Sequence, residues 1–206
     1  MNFEFSDEQI AMKDEVRKLL DKENSLKRNR TILEGEEKFD KELWDSLVAM
    51  GLTAVTIPEE FGGIGMGYLE LCVIAEELGR AIAPVPYSSS VYLATTAILN
   101  CANDEIKKEF LPKLASGEII GTFAHAESSG FPLEKSINCN FSSGKISGTK
   151  AAVPDADIAD FAIVSAKNSA GVGLYLIDLN DESVKISSLD TFDPSRSHGN
   201  IDIKDA

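Results

Sequence analysis

Cysteine and histidine are scarce in this sequence, and the scarcity excludes several chemistries. The three cysteines, Cys72, Cys101 and Cys139, are odd in number and far apart, with no C-x-x-C pair. Neither a disulfide framework nor a zinc site is indicated, and a reducing cytoplasm is the expected compartment. Only two histidines, His125 and His198, are present, so no metal centre is expected. Positive charge is also short: 20 Lys and Arg face 34 Asp and Glu, for a net charge of −14. The nearest thing to a basic run, Lys27, Arg28 and Arg30, is brief and reads as a solvated helix end. A nucleic-acid partner is therefore not expected. No apolar run approaches the ~20 residues that span a membrane. The opening "MNFEFSDEQ" is acidic, unlike a signal or transit peptide.

Glycine, by contrast, is concentrated in one place. "PEEFGGIGMGYLE" places Gly62, Gly63, Gly65 and Gly67 within six residues, just before an apolar-periodic segment. The spacing G-G-x-G-x-G matches neither the dinucleotide fingerprint nor a P-loop. No Lys or Arg lies between Pro58 and Gly79. The stretch reads as a tight turn whose glycines provide positive φ or close backbone approach.

The chain's 206 residues are 43% hydrophobic, enough for one large core or two small ones. The hydrophobic period divides it. The first half reads as helices. Ser6 and Gln9 form a capping box, with Phe5 and Ile10 placed as a hydrophobic staple. A second helix starts at Asp40 and ends with Gly51 at C′ and Leu52 at C″. "TAVTIP" reads as extended. A third helix carries Leu71, Ile74, Ala75 and Leu78 and closes at Gly79. Ser88–Ser90 can cap "VYLATTAILN", and Asn103 can cap "DEIKKEFLPKL", which Pro112 should kink or restart. The second half reads as short strands. "IIGTFAHA" is followed by a hairpin in "CNFSSGKISGTKAAV", a pair around "KNSAG", and "VKISSL" and "NIDIKD". The expected fold is α+β: a helical domain over residues 1–117, then a small antiparallel β-barrel over 118–206.

In this order the features resemble the acyl-CoA dehydrogenase family. "LWDSLVAMGLTAVTIPEEFGGIGMGYLELCVIAEELGR" is similar to that family's N-terminal helical domain. "LPKLASGEIIGTFAHAE" and "GKISGTKAAVPDADIADFAIVSAK" are similar to its middle barrel. The resemblance implies that the glycine turn is structural. It also implies FAD as cofactor and an acyl-CoA thioester as substrate, dehydrogenated at its α and β carbons. The α-proton goes to a carboxylate and the β-hydride to the flavin. The segment "GRAIAPVPYSSSVYLATTAIL" would line the acyl side, and a homo- or hetero-oligomer is implied.

The cofactor-facing positions implied by the resemblance are Ala124, His125 and Ala126 on one strand and Ala152, Val153 and Pro154 on the next. Three of them depart from the family pattern. Ala126 replaces a ring-bonding Thr, Ala152 a ring-stacking Trp, and Pro154 a second Thr, with no N–H to offer. The family's C-terminal helical bundle, which holds its catalytic base, is absent from the 206 residues, so no catalytic residue is nominated. Glu127 and Asp155 correspond to structural positions. A second reading is a non-catalytic partner subunit that keeps the fold without its own FAD contacts.

Overall fold

The structure is a computed structural model that describes residues 4–35, 37–129 and 133–206. Its first half is helical because apolar positions recur at helical spacing and polar side chains close the helix starts. Helix α1, Asp7–Glu23, opens on the expected box: Ser6 Oγ accepts the Gln9 N–H at 3.2 Å and Gln9 Oε1 accepts the Ser6 N–H at 2.9 Å. Helix α2, Leu26–Glu34, capped by Ser25, lies where only a helix end was expected. Helix α3, Lys41–Ala49, is capped by Asp40, and Gly51 takes φ +75° just beyond it. "TAVTIP" is not extended. Leu52–Ala54 forms a 3₁₀ turn, with Thr53 Oγ1 donating to Ala115 O at 2.7 Å and the Tyr87 hydroxyl to Leu52 O at 2.5 Å.

Two further expectations about helix ends are corrected. Helix α4 spans Tyr68–Arg80, so Gly79 lies inside it, and the reversal falls on Ile82 at φ +48°. Ser88–Ser90 do not cap a helix; they open a π-helix, Ser88–Thr95, which continues into α5, Thr96–Cys101. Helix α6, Asp104–Ala115, is capped by Asn103 and runs through Pro112.

The glycine turn is structural in every hydrogen bond it makes. The N–H groups of Gly62, Gly63, Ile64, Gly65 and Met66 donate to Glu59 O, Pro58 O, Ala54 O, Ile57 O and Val55 O. Gly67 N–H goes to Glu70 Oε2 at 3.0 Å. Donors already engaged this way cannot form a phosphate nest. A Cβ on Gly63 would sit 1.8 Å from Ile57 O, so only glycine lets the two backbones approach.

The second half is one curled sheet. Its strands are β1 Gly121–Ala124, β2 Asn140–Ser142, β3 Lys145–Pro154, β4 Phe161–Asn168, β5 Gly171–Asp178, β6 Val184–Ser188 and β7 His198–Lys204. Ser143 at φ +53° and Gly144 at φ +80° make the two-residue turn of the β2–β3 hairpin. The sheet is mixed rather than antiparallel: β1 pairs β4 in parallel, Gly121 opposite Phe161 through Ala124 opposite Val164, and β2 meets β4 in parallel at Asn140 and Lys167. A whole hairpin intervenes between β1 and β4, which supplies the crossover that parallel neighbours need. One apolar cluster runs from Val16, Leu43, Trp44 and Ile74 among the helices to Ala124, Val153, Val164 and Ile201 in the sheet.

Candidate functional site

The two segments expected to face a cofactor meet where β1 leaves its ladder. Ala124 is fully buried against β4. Two residues on, Ala126 O accepts the Ala151 N–H at 2.8 Å, and Thr122 Oγ1 donates to Pro154 O at 2.6 Å. Residues 124–126 and 152–154 therefore border one wall. Strand β3 loses register with β7 between Lys150 and Val153. This bulge holds Ala152 at φ +49° with its side chain exposed, while Val153 is buried and the Ala152 N–H donates to Asn200 Oδ1 at 3.1 Å.

Under the wall lies a charged pair. The Lys150 side chain is wholly buried; its Nζ donates to Glu127 Oε1 at 2.8 Å, Ser165 Oγ at 3.1 Å and His125 O at 3.3 Å. Glu127 also accepts the Asn138 N–H at 2.6 Å and the Cys139 N–H at 2.9 Å. Burial alone would push its carboxyl up, but Lys150 and the two amides outweigh it and hold the group below the usual carboxylate range. Burial pushes the neighbouring Cys139 thiol up. His125 Nδ1 lies 2.9 Å from Ser165 Oγ, and its ring packs near Phe123.

A second buried cluster went unrecognised in the sequence. Asp155, at φ +51°, directly follows Pro154 and is 2% exposed. Its carboxylate accepts from Ser89 on the π-helix, from Arg196, and from Ser197 at 3.3 Å. Arg196 also donates to Ser88. One carboxylate thus ties the helical half, the end of β3 and the loop before β7 together. A "Pro-Asp" turn and an isolated Ser-Arg-Ser were the only local signs. Next to it, a cleft of about 280 Å³ lies between α4, Ser88, Tyr92 and Arg196, floored by Ala75, Leu78 and Val85. Burial pushes the Tyr92 phenol well above its ordinary range.

With this geometry in place, the comparisons decide the family. A model described as "Acyl-CoA dehydrogenase, N-terminal domain" matches residues 6–118. The chain belongs to the acyl-CoA dehydrogenase family. It is 31% identical over 157 residues to the acyl-CoA dehydrogenase FadE27 of Mycobacterium tuberculosis, covering 76% of this chain and 42% of that protein. It is 34% identical over 124 residues to the mitochondrial isovaleryl-CoA dehydrogenase of Pongo abelii, covering 59% of this chain and 29% of that one. The matches thus span less than half the length of these curated relatives. Among solved structures, the ChsE4-ChsE5 complex from Mycobacterium tuberculosis contains a chain that superimposes with a TM-score of 0.90 at 26% identity, over all of this chain and 56% of its own.

The flavin implied by this family can be tested against the wall's donor chemistry. A flavin ring offers acceptors along its N1, O2, O4 and N5 edge and a flat apolar face. Positions 126 and 152 present only methyl groups, Pro154 has no N–H, and the Ala152 N–H is engaged by Asn200. Lys150 is turned inward onto Glu127. At these three positions the wall supplies no side-chain donor or aromatic face, so they do not fit the ring contacts that the family resemblance implies.

Proposed function

We propose that this chain forms the N-terminal helical part, residues 1–117, and the middle sheet part, 118–206, of a flavin-dependent acyl-CoA dehydrogenase system in the cytoplasm. The observation that carries this is the family match over residues 6–118, joined to a curled sheet in which segments 124–126 and 152–154 border one wall. In such a system FAD supplies the hydride acceptor for α,β-dehydrogenation of an acyl-CoA thioester. Of the six positions that the resemblance implies, His125, Ala126, Ala152 and Pro154 are the proposed cofactor-facing residues, while the Ala124 and Val153 side chains are buried in the core and hold the wall's backbone in place. Their contribution is shape, with Glu127–Lys150 and the Asp155 cluster holding both strand ends in place. The apolar cleft beside Tyr92 is the proposed acyl side, because Ile82, Ala83, Val85, Tyr87 and Ser88 of its lining come from the segment that the resemblance places there.

A second reading has its own support: the chain serves beside a flavin-bearing subunit, within a hetero-oligomer. Ala126, Ala152 and Pro154 favour it, because each removes a ring contact on the same wall. One experiment addresses both. The protein is isolated from its source cells and titrated with acyl-CoA thioesters while the flavin absorbance is followed. Bleaching by acyl-CoA is the expected result. If this chain alone accounts for the flavin stoichiometry, it is the holder; if a second chain must be present, the partner reading stands. Absence of acyl-CoA-dependent bleaching in every preparation would overturn the proposal.

A further inference from the structure

The cleft beside Tyr92 has a polar end that a plain hydrocarbon chain would leave without partners. Ser88 and Tyr92 line it from the π-helix, and Ser195 and Arg196 from the loop before β7, over a floor of Ala75, Leu78 and Val85. The π-helix runs for eight residues. Most π-helical segments are single turns, and they are frequent at functional sites.

Donors are left over at this end. Arg196 spends one N–H of Nη2 on Asp155 and one of Nη1 on Ser88, out of the five that a guanidinium carries. Ser88 lines the cleft, so the second Nη1 proton lies on the cleft side. The guanidinium is only 25% exposed, which keeps it in place. The Tyr92 hydroxyl makes no hydrogen bond among the described residues. Burial raises its phenol, and Arg196 is near enough for its charge to oppose the rise, so the group stays a protonated donor at neutral pH. A cleft that is apolar along its floor and carries a few converging polar groups is the usual form of a small-molecule site.

Charge decides which acceptor fits. Around Arg196 stand one further cation, Lys38, and three carboxylates. Asp155 is paired with Arg196, Asp157 accepts from Ser197 at 2.7 Å and lies 3.9 Å from Lys38, and Asp193 accepts the Ser195 N–H at 2.9 Å. The guanidinium charge is thus already matched. A ligand carboxylate placed here would meet no spare cation, and an unmatched charge out of water is costly. A ketone oxygen only accepts, and it needs donors without needing charge. From the uncommitted donors and the matched charge we infer that this cleft takes an acyl group carrying a ketone on its distal part, with Tyr92 and Arg196 donating to that oxygen. The inference rests on the dehydrogenase reading, with this cleft as its acyl side.

The test is the rate of flavin bleaching in the protein isolated from its source cells. Three matched series of straight-chain thioesters are used, from hexanoyl-CoA to dodecanoyl-CoA: unsubstituted, with a ketone on the penultimate carbon, and with a terminal carboxylate. The ketone series should reach half-maximal rate at a concentration at least ~10-fold lower than either other series, the worth of one hydrogen bond to a charged donor. Tyr92→Phe removes a single oxygen. It should reduce that advantage at least ~5-fold and leave the unsubstituted series within ~2-fold of its original value. Bleaching by the unsubstituted series with no advantage for the ketone overturns this inference and leaves the dehydrogenase reading standing. So does a carboxylate series that saturates first, or a ketone advantage that Tyr92→Phe leaves intact. Bleaching by none of the three overturns the dehydrogenase reading, and the inference falls with it.

Discussion

Two ion-paired glutamates, one in each half of the molecule, are neutralised in opposite ways. Glu77 on α4 has a fully buried side chain and is met by Arg17, with Nη2 at 2.6 Å and Nε at 3.0 Å, and by Arg80 Nε at 2.7 Å. Both arginines are about 40% exposed, so their charge is shared with water. Glu127 in the sheet is met by Lys150, whose side chain has no exposure at all, and by two backbone amides. The helical carboxylate pins α1 to α4 from a solvated rim. The sheet pair is wholly enclosed on its lysine side and nearly so on its glutamate side, beside the wall formed by residues 124–126 and 152–154. Such a pair gives a rigid support, but Lys150 alone becomes an uncompensated buried charge and Glu127 alone keeps only its two backbone amides.

Breaking the sheet pair should therefore have the largest effect. Lys150→Met leaves the Glu127 carboxylate without its cation and should cost ~3–5 kcal/mol in urea unfolding. Adding Glu127→Gln to that variant should recover part of the loss, since no uncompensated charge then remains. If the double variant is as unstable as the sum of its parts, the pair is not coupled as the geometry indicates.

The helical glutamate should show its weight through pH. The Arg17 hydrogen bonds, then those of Arg80, overcome burial and hold Glu77 at about 2 against an ordinary 4.5. A depressed carboxyl stabilises the fold fully above the unfolded value and loses that contribution as pH falls from 4.5 toward 2. The shift corresponds to at most ~3 kcal/mol. Glu77→Gln should lower stability at neutral pH by about that amount or less, and should flatten the acid limb of the stability curve. An unchanged acid limb would place the proton-linked unfolding elsewhere, with Glu127 the first alternative.

A smaller effect is expected where the two halves join. Ser89→Ala removes one donor to Asp155 while Arg196 and Ser197 remain. A loss of ~1–2 kcal/mol is expected for a buried carboxylate short of one hydrogen bond. The melting temperature of the variant, compared with that of Ser88→Ala, reads it.

Much of this architecture was legible because its signals are local. Ser6, Asp40 and Asn103 announce helix starts through side chains that reach only three residues ahead, and Gly144 announces its hairpin. What stayed hidden depends on distant partners. Helix α2 carries only Leu26, Ile32 and Leu33 as apolar side chains among polar neighbours, so its period is faint. The "TAVTIP" segment coils because Ala115 accepts a hydrogen bond from Thr53, and Tyr87 donates one to Leu52. The parallel pairing of β1 with β4 joins residues forty positions apart. The wall was found only through family resemblance. Its supporting carboxylate, Asp155, was seen but not its partners, because Ser89 and Arg196 are scattered along the chain.

The smallest expected effect concerns strain at the wall itself, and it contrasts with Ile82 in the helical half. Ile82 is held at positive φ by two asparagine side chains. Ala152 is held at φ +49° by the bulge and by a single bond from its N–H to Asn200, with its methyl group exposed. A left-handed backbone costs a non-glycine residue roughly 1–2 kcal/mol. Glycine avoids that cost, but it loses more freedom on folding, by roughly 0.5–1 kcal/mol. Ala152→Gly should therefore stabilise the chain by no more than ~1 kcal/mol, seen as a small rise in melting temperature. Ala152→Trp, which would restore the aromatic residue of the family pattern, keeps the left-handed strain and adds an exposed indole. It should not gain stability in the absence of a ligand. If Ala152→Gly instead destabilises the chain by more than 1 kcal/mol, the alanine methyl is packing against something the geometry leaves open, and the bulge is held by more than its bond to Asn200.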